Sequence, residues 1–185
     1  LVRLSSRSQW DVPIRLPDGR VVHLLCGTAT DPAATSDHVP ADLAARRNHD
    51  EIRFWSDYLA DAPYIVDDAD QPGGLPPNAD FVLLAHLAID PEAGPRFRQP
   101  LADVLLPSPE LARHDAPTST TAITGLPDTA TTVSGRRTHY ILPSPGMGQV
   151  RSGIWRHGWT GSDAPSTAFP VWAELRLPER RPDPN

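Results

Sequence analysis

Lysine is absent from this chain, and all 17 basic residues are arginine. A GC-rich coding bias accounts for that better than selection for forked contacts to phosphate. Against 23 acidic residues the formal net charge is -6, whereas a surface that tracks a phosphate backbone carries a basic excess. Nucleic acid is therefore not expected as a partner. Cysteine occurs once, at Cys26, so no internal disulfide can staple the fold. Its setting in Val21-Val22-His23-Leu24-Leu25-Cys26 predicts a buried strand in which the thiol serves as a small hydrophobe. No apolar run approaches ~18 residues, so no membrane-spanning helix is expected. A signal-peptide core is also missing, because Arg3, Arg7 and Gln9 interrupt the start. With Leu1 first and Met147 the sole methionine, the sequence reads as a processed product or as part of a longer chain.

What is present fits one globular domain. The 185 residues are 39% hydrophobic and 22% charged, close to ordinary usage and enough for a sizeable core. Proline (22) and glycine (12) are plentiful but fall short of a disordered composition, so long loops around a modest number of elements are expected. Pro17-Asp18-Gly19 between Val12–Leu16 and Arg20–Cys26 predicts a hairpin. Asn48 with Glu51 has the spacing of a capping box, and Ile52, Trp55, Tyr58 and Leu59 follow on one helical face. Phe81–Leu84 reads as a strand buried on both faces. A short helix over Gln99–Leu106 and strands over Thr138–Leu142, Gln149–Trp155 and Val171–Leu177 complete the elements. Trp155 and Trp172 are expected in the core, and the threonine-rich runs Thr118–Thr121 and Thr129–Thr132 in solvated loops. Strands with few helices and long connections predict a layered α/β sandwich.

Several segments, in order along the chain, resemble the endonuclease/exonuclease/phosphatase family, whose fold is that of DNase I. They are Ser5–Pro13 (SSRSQWDVP), Arg46–Trp55 (RRNHDEIRFW), Asp80–Leu84 (DFVLL), Tyr140–Ser144 (YILPS) and Pro170–Leu175 (PVWAEL). They are most like an actinobacterial branch that is often exported, so the resemblance implies a secreted protein. It also implies a layered α/β/β/α sandwich of the DNase I-like type. Residues 1–178 would be the C-terminal portion of one such domain, incomplete at its N-terminus, and 179–185 a mobile tail. Missing strands would leave an apolar face and open edges in water. A complementary N-terminal segment or a second chain is therefore expected to complete the sandwich.

The family's chemistry rests on a divalent cation held by hard oxygen ligands, with a His–Asp and an Asp–Asn pair around the phosphate. At each matching position this sequence departs. The strand that would end in a catalytic His carries Thr28. The Gly-Asp-x-Asn motif reads Ala85-His86-Leu87-Ala88, and Arg-x-Asp-Tyr reads Arg137-Thr138-His139-Tyr140. The terminal Ser-Asp-His-x-Pro reads Ser166-Thr167-Ala168-Phe169-Pro170, with Asp163 available only through a shifted loop. No catalytic residue and no magnesium or calcium site is expected to survive. The resemblance therefore implies a catalytically degenerate member that binds a small ligand or a partner.

Two alternatives stay open. In one, the emptied cleft hosts new chemistry, with His86 and His139 as acid and base or as ligands to a softer metal such as zinc. In the other, a divergent phosphoesterase draws ligands from Asp163, Asp90 or the missing half. The remaining candidate cleft residues are Arg47 and His49, near the expected helix N-terminus where backbone donors favour an anion, and Trp159 on a loop.

Overall fold

The computed structural model describes residues 4, 5, 7–34, 40, 42–92, 97–158 and 166–177. Strand β1 (Trp10–Arg15) turns back into β2 (Val21–Thr28). The reversal is closed by Leu16 N–H donating to the Arg20 carbonyl at 2.8 Å, with Gly19 at φ 88°. That positive φ is the conformation glycine adopts without steric cost. Strand β3 (Asp80–His86) pairs parallel with β2, which requires a crossover, and helix α1 (Leu43–Leu59) lies in it. Strand β4 (His139–Pro143) pairs antiparallel with β3, giving a four-stranded sheet in the order β1-β2-β3-β4. Strands β5 (Gly148–Ile154) and β6 (Val171–Arg176) form a separate two-stranded antiparallel sheet.

The larger sheet has a different partner on each face. Leu25, Phe81, Leu83 and Ala85 pack with Ile52, Trp55 and Leu59 of α1 and with Leu101 and Leu105. The last two belong to a single wide helical turn, Leu101–Leu105, in which Leu106 N–H reaches the Leu101 carbonyl five residues back. It is shorter than the helix expected there. Gly27 admits this layer: a Cβ in its place would stand 2.5 Å from Trp55 Cζ2. On the opposite face Val22 and Val82 meet Met147, Ile141, Leu175 and Leu177, where the smaller sheet comes down. Helix, sheet and sheet thus form three layers, the α/β arrangement expected from the sequence.

Several local expectations are corrected. Helix α1 begins at Leu43 with Asp42 at its N-cap and no side-chain cap, so Asn48 and Glu51 lie inside it, buried. Their polar groups serve tertiary contacts instead. Asn48 Nδ2 donates to the Thr30 carbonyl at 2.8 Å and to the Leu87 carbonyl at 2.9 Å. Glu51 accepts from Thr30 N–H at 2.5 Å and from Thr30 Oγ1 at 3.1 Å. The two tryptophans expected in the core are exposed, Trp155 by 59% and Trp172 by 45%. Trp172 lies over Gly153 on the outer side of the smaller sheet, and no described element covers that side. Leu84 and Cys26 are also not fully buried, because the second sheet does not reach across them. In the run Thr129–Thr132, Thr131 is wholly buried rather than solvated, its hydroxyl oxygen accepting from Thr138 N–H at 2.9 Å.

Arg156 supplies a second internal tie. Only 1% exposed, it donates through Nη2 to the carbonyls of Pro127, Asp128 and Ala130. This anchors the irregular 127–130 segment to the residues that follow β5.

Removing the Asn48 amide would strand two buried carbonyls at once. Asn48→Ala is expected to lower unfolding free energy by about 2–3 kcal/mol, measured as a reduced midpoint in urea with an unchanged slope. A loss below ~0.5 kcal/mol would show that those carbonyls find other partners.

Candidate functional site

Register places the site. In the pairing of β2 with β3, Thr28 lies opposite His86, and in that of β3 with β4, His86 lies opposite His139. Thr28, His86 and His139 therefore form one row across three strands, with side chains on one face. Because β2 and β3 are parallel, the row sits at both their C-terminal ends, and β4 enters from the opposite direction. The Asn48 and Glu51 bonds grip the backbone just beyond it, at Thr30 and Leu87. The ends of the two strands are thereby held together from below.

The row opens into a cleft of about 990 Å³ between the two sheets. One end is polar, with Arg7, Thr28, His86, His139 and Ser166. The other is apolar, with Trp10, Leu84, Ile141 and Val171. The two imidazoles stack with centroids 4.5 Å apart and planes 26° from parallel. His139 Nδ1 lies 3.2 Å from Thr138 Oγ1 and 3.3 Å from Thr131 Oγ1, so its orientation is fixed by two hydroxyls.

Burial and the neighbouring His86 push the His139 pKa down to about 4. His86 is also lowered, mainly by burial and in part by Arg7, with Asp31 opposing. Both rings are consequently uncharged at neutral pH. They bring no negative charge to the place where a hard cation would need it. Among the described residues no group of three or more His, Cys, Asp or Glu side chains is placed to hold a metal ion. This donor set does not fit a magnesium or calcium ion.

The other positions singled out in the sequence divide clearly. Ala168 lines the cleft beside Ser166, while Thr167 turns its carbonyl to Val133 N–H. Ala88 follows β3 and is buried in the left-handed region at φ 57°. Arg47 and His49 do not line the cleft. They lie more than one residue inside α1, not at its start, and His49 is buried against the edge of Phe97 with Nδ1 2.9 Å from Asp50. Asp90 accepts from Arg137 N–H at 2.8 Å and is absent from the cleft wall. Trp159 and Asp163 fall outside the described residues. Arg7, Trp10 and Thr131 were not singled out as site residues. The first two stand inside the conspicuous SSRSQWDVP segment, but nothing in the sequence marks Thr131 as buried.

Among solved structures, the endonuclease/exonuclease/phosphatase from Beutenbergia cavernae DSM 12333 resembles this chain with a TM-score of 0.53. The match covers 91% of this chain and 39% of that one, at 17% identity. The chain has a DNase I-like fold. Beta toxin 275-280 from Staphylococcus aureus is also similar, with TM-score 0.48, 13% identity and coverage of 89% and 55% of the two chains. Sphingomyelinase C from Streptomyces griseocarneus gives TM-score 0.47, 17% identity and coverage of 88% and 56%. This DNase I-like chain thus spans from about two fifths to just over half of the length of these structures. No family model matches it, and no curated protein matches it significantly.

Two outcomes are expected from this geometry. Histidines with folded pKa values below the unfolded ~6.5 leave the unfolded chain holding more protons, so their effect favours folding above that pH. Stability should therefore fall as pH drops from about 6.5 towards 4. In His139→Gln that acid limb should be shallower, measured as the difference in urea midpoint between the two proteins across the range; parallel curves would contradict it. Separately, Ala88→Gly removes a Cβ from a left-handed position and is expected to gain about 1 kcal/mol. The same urea titration checks it, and a loss would mean the Ala88 methyl packs usefully.

Proposed function

We propose that this chain is a catalytically degenerate DNase I-like protein that binds a small ligand in its cleft and has no metal-dependent phosphoesterase activity. The observation that carries this is the row Thr28–His86–His139, which contains no carboxylate. Phosphoester cleavage on a cation needs charge that neutralises phosphate and a group that activates water. Hydroxyl, methyl and uncharged imidazole groups occupy the cleft positions where the family resemblance called for acids and a paired His. Loss of one such group costs orders of magnitude in rate, each tenfold being ~1.4 kcal/mol of barrier. Asp90, which a divergent phosphoesterase could have recruited, is committed to the Arg137 backbone instead.

The shape of the cleft supports the binding half of the proposal. Arg7 stands at the polar end, and an apolar wall containing Trp10 and Leu84 continues from it. Such a surface suits an amphipathic molecule with an apolar body and a small polar head.

One feature favours a second reading, in which the cleft has acquired new chemistry. A pair of stacked imidazoles that are uncharged at neutral pH can accept protons, so His86 or His139 could act as a base. Their near-parallel stacking does not converge their nitrogens on one ion, which makes proton transfer the better-supported form of this alternative.

The test is hydrolysis of bis(p-nitrophenyl) phosphate with millimolar magnesium or manganese. The expected rate equals that of the metal-containing buffer, and His86→Ala with His139→Ala leaves it unchanged. Turnover that rises with metal and disappears in the double variant would overturn the proposal. Stoichiometric zinc in the purified protein, lost with the two histidines, would instead establish the repurposed site.

A further inference from the structure

Counting hydroxyl protons fixes which nitrogen of His139 carries its own. Thr131 and Thr138 each bring a hydroxyl oxygen to His139 Nδ1, at 3.3 and 3.2 Å. Both threonines are buried, Thr131 wholly, so each hydroxyl proton needs an acceptor inside the protein. A hydroxyl has one proton to give and two lone pairs with which to accept. Both lone pairs of Thr131 Oγ1 are taken, by Thr138 N–H at 2.9 Å and by His139 N–H at 3.2 Å. Its proton has two acceptors within reach, the Arg136 carbonyl at 3.4 Å and His139 Nδ1. Thr138 Oγ1 has one among the described residues, His139 Nδ1.

A proton on Nδ1 would have to be donated to Thr138 Oγ1, and the Thr138 proton would then be an unsatisfied buried donor. With Nδ1 bare, Thr138 donates to it, Thr131 donates to the Arg136 carbonyl, and every group is matched. The proton of the uncharged ring therefore sits on Nε2, since the partner of one ring nitrogen decides the state of the other. His139 shares the sheet face of His86, stacks on its ring and lines the cleft. Because Nδ1 is turned to the two hydroxyls, Nε2–H is the donor left for the cleft. His86 differs. Among the described residues neither of its ring nitrogens has a hydrogen-bond partner, so nothing there fixes its tautomer.

Among the described residues that line the cleft, Arg7 carries the charge. It lies near enough to His86 to act on that ring electrostatically. A polar head seated there meets one cation and one neutral donor. An ammonium head would face a like charge and an N–H from which it cannot accept. A dianion would keep one charge uncompensated beside two uncharged rings. A carboxylate has a single charge and two oxygens, one for the guanidinium and one for the imidazole. Trp10, Leu84 and Ile141 then receive an apolar chain.

We propose that His139 is a fixed hydrogen-bond donor, and that its Nε2–H, together with Arg7, selects an amphipathic carboxylate as the ligand of the cleft. The proposal rests on the ligand-binding reading given above. It makes His139 a specificity-determining residue and leaves His86 as the ring able to accept a proton.

The tautomer is read first. In the full-length protein with isotope-labelled histidine, long-range proton–nitrogen NMR correlation at neutral pH should show His139 protonated at Nε2 alone, its signals assigned by their loss in His139→Gln. Calorimetry should then show binding of sodium decanoate and none of decyltrimethylammonium. His139→Gln, whose amide places an N–H near the same point, should hold decanoate affinity within about threefold. His139→Phe keeps a stacked ring without the donor and should weaken it about tenfold or more. If His139→Phe fails to fold, the spectrum of the unsubstituted protein still decides. A proton on Nδ1, or exchange between both tautomers, would overturn the proposal, as would equal decanoate affinity in His139→Phe. Binding of the ammonium in place of decanoate would sink the carboxylate and leave the ligand-binding reading standing. If neither amphiphile binds, both fall.

Discussion

The buried contacts of Asn48 and Glu51 hold this structure's most consequential geometry. One amide and one carboxylate, a helical turn apart on α1, grip backbone beyond both β2 and β3. Parallel strands have no tight turn to fix their relative ends, so something else must align Thr28 with His86. The helix does so with hydrogen bonds that would be expensive to leave unmade in the interior. Hydrophobic packing against Ile52 and Trp55 keeps the helix on the sheet, but apolar contact is not directional and would not by itself fix where the strand ends sit. The polar contacts supply that direction, and the cleft inherits its row of side chains from them.

A fold held this way does not depend on the side chains of its cleft. None of the atoms in the Asn48 and Glu51 contacts belongs to the Thr28–His86–His139 row, so substitutions in that row need not disturb the scaffold. Two carboxylates side by side would repel unless a cation lay between them, whereas two uncharged imidazoles can stack. Burial lowers both pKa values and keeps the pair neutral. Ala88 occupies a left-handed conformation that asparagine or glycine adopts more cheaply.

Much of the fold was legible in the sequence, for identifiable reasons. Strand periodicity, the Pro17-Asp18-Gly19 turn and the helical face of Ile52, Trp55 and Leu59 are local signals, and the corresponding elements all form. The convergence of His86 with His139 came from motif positions in the family resemblance; periodicity could not have paired residues so far apart. The errors arose where tertiary contact overrode a local pattern. Asn48 and Glu51 have capping-box spacing, but three-residue spacing also places two groups on one helical face, and the interior claimed them. Trp155 and Trp172 followed the rule that large aromatics are buried, which assumes a layer on the far side of their sheet. Thr131 lies in a threonine-rich stretch that composition assigns to solvent, and only its hydroxyl's backbone partners reveal otherwise.

Trp172 and the exposed residues of β1 both lie where no described element covers a sheet. A strand signals its own alternation, but whether each face meets water depends on strands elsewhere in the polypeptide. On the larger sheet, α1 and the Leu101–Leu105 turn pack on one face against β2 and β3, while the β5–β6 sheet packs on the other against Val22, Val82 and Ile141. The boundary of that coverage runs through the cleft, which is why its polar end is ordered by hydrogen bonds and its apolar end opens beside Trp10. Trp10, Leu84 and Ile141 form the apolar wall of that cleft. The histidine row lies at the strand ends, beyond that wall.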